Sequence, residues 1–279
     1  MSKLYVKIAL ALLSLAGYME NVAFACENSA NSDRHPCTIL QNDEFEQYKN
    51  VACKDIDESI LAIDNIIGDS ELLLKLAENT DGYSVNSTED ENGTIYSKKI
   101  ENVDIGKLYV TIPSSSKYSA VLKNLWDFND TQKKDNKFIN GNIARVYCKY
   151  LIMFEKQNIN GENLRSKKRY ALGAKVKQSS YKTVIVSPSR PINYDGEINQ
   201  ETDLKESFEN TKSIEDDIDA EEALIKLADN IAGFVVKKGN DDQVHVIYIN
   251  AIYDGGNSTN DKKDRDITYK KILNLAQSI

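Results

Sequence analysis

The chain has only two histidines, His35 and His245, and no Cys-x-x-Cys pair. That spacing is what zinc ribbons and thioredoxin-type redox sites need, so both are excluded. HExxH, GxSxG, the P-loop pattern and GxGxxG are also missing, and nothing singles out a catalytic constellation. His35 lies in a polar tail; His245 opens a strand and reads as structural. The expectation is a protein that is not an enzyme and needs no cofactor. Arginine is scarce, six against 29 Lys and 27 Asn, and the net charge is −8 with a pI near 5.0. A nucleic-acid binder needs a basic face, so that class is excluded too. The Asn, Lys and Ile excess reflects AT-rich codons and says little about function.

Long hydrophobic runs are missing after the first 25 residues. Within them, Lys3 and Lys7 precede the apolar stretch Ile8 to Ala16, and Ala23-Phe24-Ala25 stands just before Cys26. This is the pattern of a signal peptide, its apolar core shorter than the roughly 20 residues of a membrane span. Residues 1–25 are therefore expected to be removed, leaving a secreted, soluble, monomeric protein. Residues 26–53 are a polar segment without periodicity, and 54–279 read as one folded domain. The secretory route permits disulfides, and four cysteines (Cys26, Cys37, Cys53, Cys148) allow three pairings. One bridge among the first three is expected, with Cys148 either bonded or a small buried hydrophobe.

The hydrophobic period then alternates between helix and strand. Ile56, Ile60, Ile63 and Ile67 form a helical stripe opened by Asp55 and Glu58 in the manner of a capping box, with Gly68 a candidate break before Leu72 to Ala77. Strands are predicted at Thr94 to Ile100 and through Leu108, Val110 and Ile112, with Asn102 to Gly106 between them. Tyr118, Val121, Leu122, Leu125 and Trp126 mark a second helix. Ile143 to Glu155 reads as one long strand, followed by Arg169 to Lys177 and Thr183 to Ser187. The acidic stretch 193–222 reads as a solvated loop, and Ala223 to Ala228 fits helix or strand. Ile231 to Lys237 and Val244 to Tyr253 form a hairpin across Gly239-Asn240. A last helix of about fourteen residues is placed from Arg265 to Ser278. The class is α+β, an antiparallel sheet covered by a terminal helix.

Specific blocks carry a family resemblance. Leu125-Trp126-Asp127, Ala144-Arg145-Val146-Tyr147, Arg169 to Lys177, Lys182 to Val186 and Asn230 to Phe234 resemble the Fam-A proteins of rodent malaria parasites, over roughly residues 53–279. Fam-A proteins are related to the START domain, and the resemblance implies a helix-grip fold: a curved antiparallel sheet closed by its C-terminal helix over an apolar tunnel. It also implies a phospholipid ligand, phosphatidylcholine by preference, carried between membranes with transient contact at their surfaces. Location in the parasitophorous vacuole or host red cell is implied as well, although no Arg-x-Leu-x-(Glu/Gln/Asp) export pentamer is present. The rival reading is a secreted surface or host-interaction antigen that keeps the scaffold without transfer.

A phospholipid site needs a cation for phosphate and aromatic faces for a quaternary ammonium. Arg145, on a mostly apolar strand, is the phosphate candidate; alternation leaves open whether it faces inward or outward. Trp126 and Tyr147 are the aromatic-cage candidates, and Tyr109, Tyr170 and Tyr248 are candidate lining residues. Ile272, Leu275, Ala276 and Ile279 form the apolar stripe of the lid helix, with Gly255-Gly256 and the polar run to Lys263 as its hinge and Lys270 and Lys271 toward anionic headgroups. On this reading Arg145→Ala lowers transfer and leaves the fold intact.

Overall fold

The chain divides into two units, 1–50 and 51–279, and the α-helices and the sheet of the described residues fall in the second. The computed structural model describes residues 48–89, 93–127, 138–139, 141–156, 169–214, 217–255 and 258–279. The expected signal peptide, Cys26 and Cys37 lie outside the described residues.

The first helix, α1 (Ile56–Glu78), runs unbroken through Gly68. Burial of Ile66, Leu72, Leu73 and Leu76 along one stripe outweighs the roughly 1 kcal/mol that an interior glycine costs a helix. Asp55 caps it, its carboxylate accepting from the Asp57 N–H at 2.9 Å and the Glu58 N–H at 3.1 Å. The capping box is only half made, because the Glu58 carboxylate turns inward to Arg145.

Strands β1 (Ser84–Glu89), β2 (Gly93–Ile100) and β3 (Val103–Pro113) follow, then α2 (Tyr118–Leu125). Asn102 to Gly106, expected to interrupt the meander, is mostly inside β3. The stretch expected as one strand is a hairpin instead, β4 (Asn142–Cys148) and β5 (Leu151–Lys156), turned at Lys149-Tyr150. Next come β6 (Arg169–Ser179), β7 (Lys182–Val186) and the two-residue β8 (Pro191–Ile192). Two short helices, α3 (Lys205–Glu209) and α4 (Ala220–Leu227), interrupt the expected acidic loop and resolve the ambiguous segment as helix. The hairpin β9 (Ile231–Lys238) and β10 (Gln243–Tyr253) lies as expected. The final helix α5 (Thr259–Ser278) is 20 residues, starting six before the expected Arg265. Its first turns are polar on most faces, so hydrophobic periodicity has nothing there to register.

The strands form one curved antiparallel sheet in the order β1-β2-β3-β10-β9-β7-β6-β5-β4, with β8 paired to β6. At its centre all eleven residues of β10 pair with the eleven of β3, from Gln243↔Pro113 to Tyr253↔Val103. Period-2 alternation gives this sheet two faces. Val103, Ile105 and Lys107 of β3 face α1, since the Lys107 ammonium donates to the carbonyls of Ala77 (2.7 Å) and Asn79 (2.8 Å). Asp104, Gly106, Leu108, Val110 and Ile112 take the opposite face, where Asp104 meets Arg265 of α5. The first face, with α1 and α4, holds a large core including Leu73, Leu76, Val184, Val235 and Ile249. The α+β class and the terminal helix on the sheet are as the sequence indicates.

Candidate functional site

The face opposite α1 carries Leu108, Val110, Ile112, Ile152, Ile185, Phe234, Val236 and Val246, all buried. α2 lies on this face, its Tyr118 hydroxyl sharing a hydrogen bond with Thr183 Oγ1 at 2.8 Å. Phe138 packs edge-on against Phe234 with centroids 5.6 Å apart. α5 completes the cover, and it does so lightly. Of its 20 residues only Tyr269 and Ile272 are buried, whereas α1 buries nine of its 23.

The seat of α5 is polar at one end. Asp104 receives Arg265 at 2.7 Å and Lys262 at 3.0 Å. Partial burial works to raise the Asp104 carboxyl, but hydrogen bonds from these two cations outweigh it and hold it below the usual range. Beneath Arg265 lies Gly106, where an added Cβ would stand 2.2 Å from the Tyr269 hydroxyl oxygen and 2.6 Å from Arg265 Cδ. Only a glycine lets the helix settle this close. Opposite Gly106 on β10 is Asn250, whose amide donates to the Tyr248 hydroxyl at 3.1 Å. Tyr248 in turn packs against Phe234 (4.9 Å) and edge-on against Tyr269 (5.8 Å). Burial pushes both tyrosine hydroxyls up from their ordinary range. Asn250 Oδ1 and the Tyr269 hydroxyl are buried with no hydrogen-bond partner among the described residues. Tyr269, Arg265, Lys262, Asp104 and Asn250 escaped the sequence reading; the one available signal was an Arg and a Tyr four residues apart on a helix.

The sequence-derived candidates separate onto the two faces. Tyr248 and Ile272 lie in the α5 interface. Leu275, Ala276 and Ile279 are half-buried along the same helix. Trp126 is buried at the end of α2, and its indole N–H donates to the Lys149 carbonyl at 3.1 Å. The expected hinge shortens, because Thr259 to Lys263 are already helical; Gly256 lies outside the described residues. Lys270 is exposed, as its expected role requires.

Arg145, Tyr147, Tyr170 and Tyr109 are on the α1 side. Arg145 is buried, with one guanidinium nitrogen donating to both Glu58 oxygens at 2.6 and 2.7 Å and the other to the carbonyls of Asn199 and of Thr202 (2.9 Å). The Tyr147 hydroxyl also donates to Glu58, at 2.9 Å, and burial followed by the Glu58 charge drives it up strongly. Arg145 as phosphate ligand and Tyr147 as cage residue are therefore corrected: both are committed to α1. The physical cause is in β4, whose register slips between Ile143 and Arg145 and again between Val146 and Cys148. Each irregularity sets an extra residue against the partner strand and resets which side faces which layer. Tyr170 packs by Tyr194 and donates to the Gly196 carbonyl (3.1 Å); Tyr109 shares a 2.6 Å hydrogen bond with His245. Neither lines the α5 interface. A second buried pair, Asp69–Arg190 at 2.6 Å, is also built on α1.

Cys53 and Cys148 are free thiols. Burial, and then the Glu58 charge, raises Cys53; burial raises Cys148, whose sulfur accepts the Tyr150 N–H at 3.4 Å. Of the bridge expected among Cys26, Cys37 and Cys53, the pairings that use Cys53 are therefore not formed, and Cys26 and Cys37 lie outside the described residues. No metal-holding cluster occurs among the described residues, and no helix there is long and apolar enough to cross a membrane.

Among solved structures the chain is similar to human StAR-related lipid transfer protein 5, with a TM-score of 0.48, 8% identity and coverage of 80% of this chain and 97% of that one. It is also similar to human STARD10 (TM-score 0.38, 12% identity, 74% and 78% covered). A third is the lipid transfer and protein localization domain of human StarD13 (TM-score 0.34, 13% identity, 66% and 82% covered). No family model and no curated protein matches the chain.

Proposed function

We propose that this protein is a non-catalytic carrier of phospholipid, with phosphatidylcholine as its expected cargo, held on the sheet face under α5. The observation that carries the reading is the unequal attachment of the two long helices. α1 is fixed by nine buried residues, two of them acids paired with buried arginines. α5 rests on two buried side chains and an ion-pair rim, above a face made of Leu, Val, Ile, Phe and Tyr. Fully burying a large apolar side chain is worth about 1.5–3 kcal/mol. Lifting Tyr269 and Ile272 therefore costs roughly 3–6 kcal/mol on that scale, an opening that a membrane surface can drive. The acyl chains repay it: at about 0.8 kcal/mol per methylene, two chains of roughly fifteen carbons amount to on the order of 20 kcal/mol.

The Fam-A-like blocks support phosphatidylcholine as cargo, and the pattern ending at Ala25 supports secretion. Two of the similar structures are named for lipid transfer. A rival reading, an interaction protein that uses the scaffold without cargo, is favoured by one observation. The face under α5 is already closed by protein: Leu108 and Val110 are fully buried.

Extraction of the purified protein and lipid mass spectrometry separates the two readings. Stoichiometric phospholipid supports the carrier; lipid-free protein that also moves no labelled lipid between vesicles refutes it. A disulfide engineered between α5 and β3, with Cys53 and Cys148 replaced by Ser, adds a mechanistic check. Transfer should stop on oxidation and return on reduction, and full transfer with the bridge closed would refute the lid.

A further inference from the structure

The β4–β5 turn gathers positive charge in an acidic protein. The ammonium groups of Lys149 and Lys175 each lie 4.9 Å from the centroid of the Tyr150 ring. The arrangement is pinned by the backbone: the Lys175 N–H donates to the Tyr150 carbonyl at 3.0 Å, and the Trp126 indole N–H to the Lys149 carbonyl. Lys175 follows Ala171 and Gly173 along the row of β6 that faces away from α1. It sits opposite the buried Ile185 of β7.

Most lysines with a defined partner here have an acid: Lys98 with Glu221, Lys182 and Lys237 with Glu78, Lys205 with Asp55, and Lys262 with Asp104. Among the described residues neither Lys149 nor Lys175 is paired with a carboxylate. Burial lowers the Lys175 ammonium from its ordinary range, and the Lys149 charge lowers it further. Two like charges against one ring, one of them partly desolvated, have no carboxylate beside them among the described residues. The partner that fits is a compact, multiply oxygenated anion, because an ammonium is a point charge with three donors and two of them can share a phosphate's oxygens.

We propose that Lys149 and Lys175, held against Tyr150, form a binding site for a phosphate group, monoester or diester, at this end of the sheet. The phosphate can belong to a lipid headgroup or to a soluble phosphorylated molecule. The lipid case rests on the carrier reading; phosphate binding itself does not. The site takes the role that the strand pattern suggests for Arg145, on the opposite face and from residues with no signal of their own in the sequence.

The chain has one tryptophan, Trp126, bonded to this turn, so its fluorescence is a local reporter. The full chain is titrated separately with inorganic phosphate, with phosphatidylcholine vesicles, and with such vesicles containing phosphatidic acid. A saturable change in emission is expected. Each single Lys→Gln variant should weaken binding about five-fold at an anionic surface, and Lys149→Gln/Lys175→Gln should abolish it. Lys175→Arg, which keeps the charge, should bind, and Lys99→Gln, an exposed lysine on β2, should match wild type. A response to inorganic phosphate alone assigns a soluble ligand; a response to vesicles alone assigns a lipid. Wild-type titration by the folded double variant, or no response of the wild type to any probe, overturns the site. A protein purified free of lipid that moves no labelled lipid between vesicles, yet still responds to phosphate, refutes the carrier and leaves this site standing.

Discussion

Arg145→Ala tests the assignment of the Glu58–Arg145 pair as architecture. Side chains of both residues are buried, at 1% and 4% exposure, so neither charge is solvated once the other is gone. The substitution removes both guanidinium bonds to Glu58 and the donors that Arg145 supplies to the carbonyls of Asn199 and Thr202. Among the described residues Glu58 keeps only the Tyr147 hydroxyl (2.9 Å), the Leu204 N–H (3.3 Å) and a long contact to the Cys53 thiol (3.7 Å). Breaking a buried pair on one side costs about 3–5 kcal/mol, roughly a fifth or more of the stability of an ordinary domain. At about 2–4 °C per kcal/mol for a domain of this size, the melting point should fall by roughly 6–20 °C. Urea unfolding followed by circular dichroism measures the loss directly. Glu58→Met/Arg145→Met, which removes both charges, should recover at least half of it, since apolar replacement of a whole buried pair is often near neutral. The reasoning fails if Arg145→Ala unfolds within about 1 kcal/mol of wild type. It also fails if the variant is fully stable and has lost only lipid transfer, the outcome expected from the sequence alone.

Three further outcomes rest on the same geometry. Burial, and then the Lys237 ammonium, pushes Lys107 down to about 8, so above that pH the folded chain has released a proton that the unfolded chain keeps until near 10.5. The stability of wild type relative to Lys107→Met should therefore climb as pH rises from about 8 toward 10; a flat difference in denaturant titrations refutes it. Tyr269→Phe removes a buried hydroxyl that has no partner among the described residues, so thermal stability should be unchanged or raised. A loss of more than about 1 kcal/mol would show that the hydroxyl is bonded in solution. Gly106→Ala and Gly233→Ala should differ in kind. The first drives a Cβ into Tyr269 and Arg265 and should loosen α5 alone, seen as faster amide exchange confined to 259–278. The second meets the Ile185 carbonyl at 2.4 Å and Leu73 at 2.5 Å, and should destabilise the whole domain by about 1–3 kcal/mol. Identical exchange profiles for the two variants would argue against a separately opening helix.

The sequence by itself determined which segments are helix and which are strand wherever burial falls on one side. α1 and α2 carry a period of 3.6, because one face meets the core and the other meets water, whereas β6 and the β9–β10 hairpin are buried on both faces and show as apolar runs bounded by polar turns. It also determined the α+β class and the terminal helix on the sheet, from the order of those periods. It could not place the turn at Lys149-Tyr150, where two polar residues divide an apolar run without glycine or proline. Nor could it start α5 at Thr259, because the first turns of that helix are held by Asp104, a residue about 160 positions away, through Arg265 and Lys262. The decisive case is Arg145. Its strand is apolar on both sides, so alternation is silent, and two register slips in β4 fix the face that it takes. Only the tertiary structure brings Glu58 across from α1 to meet it, and a charge pair formed over 87 residues leaves no local trace in sequence. The same holds for Lys149 and Lys175, which become neighbours because Ala174 pairs with Leu151 and so draws β6 alongside the turn.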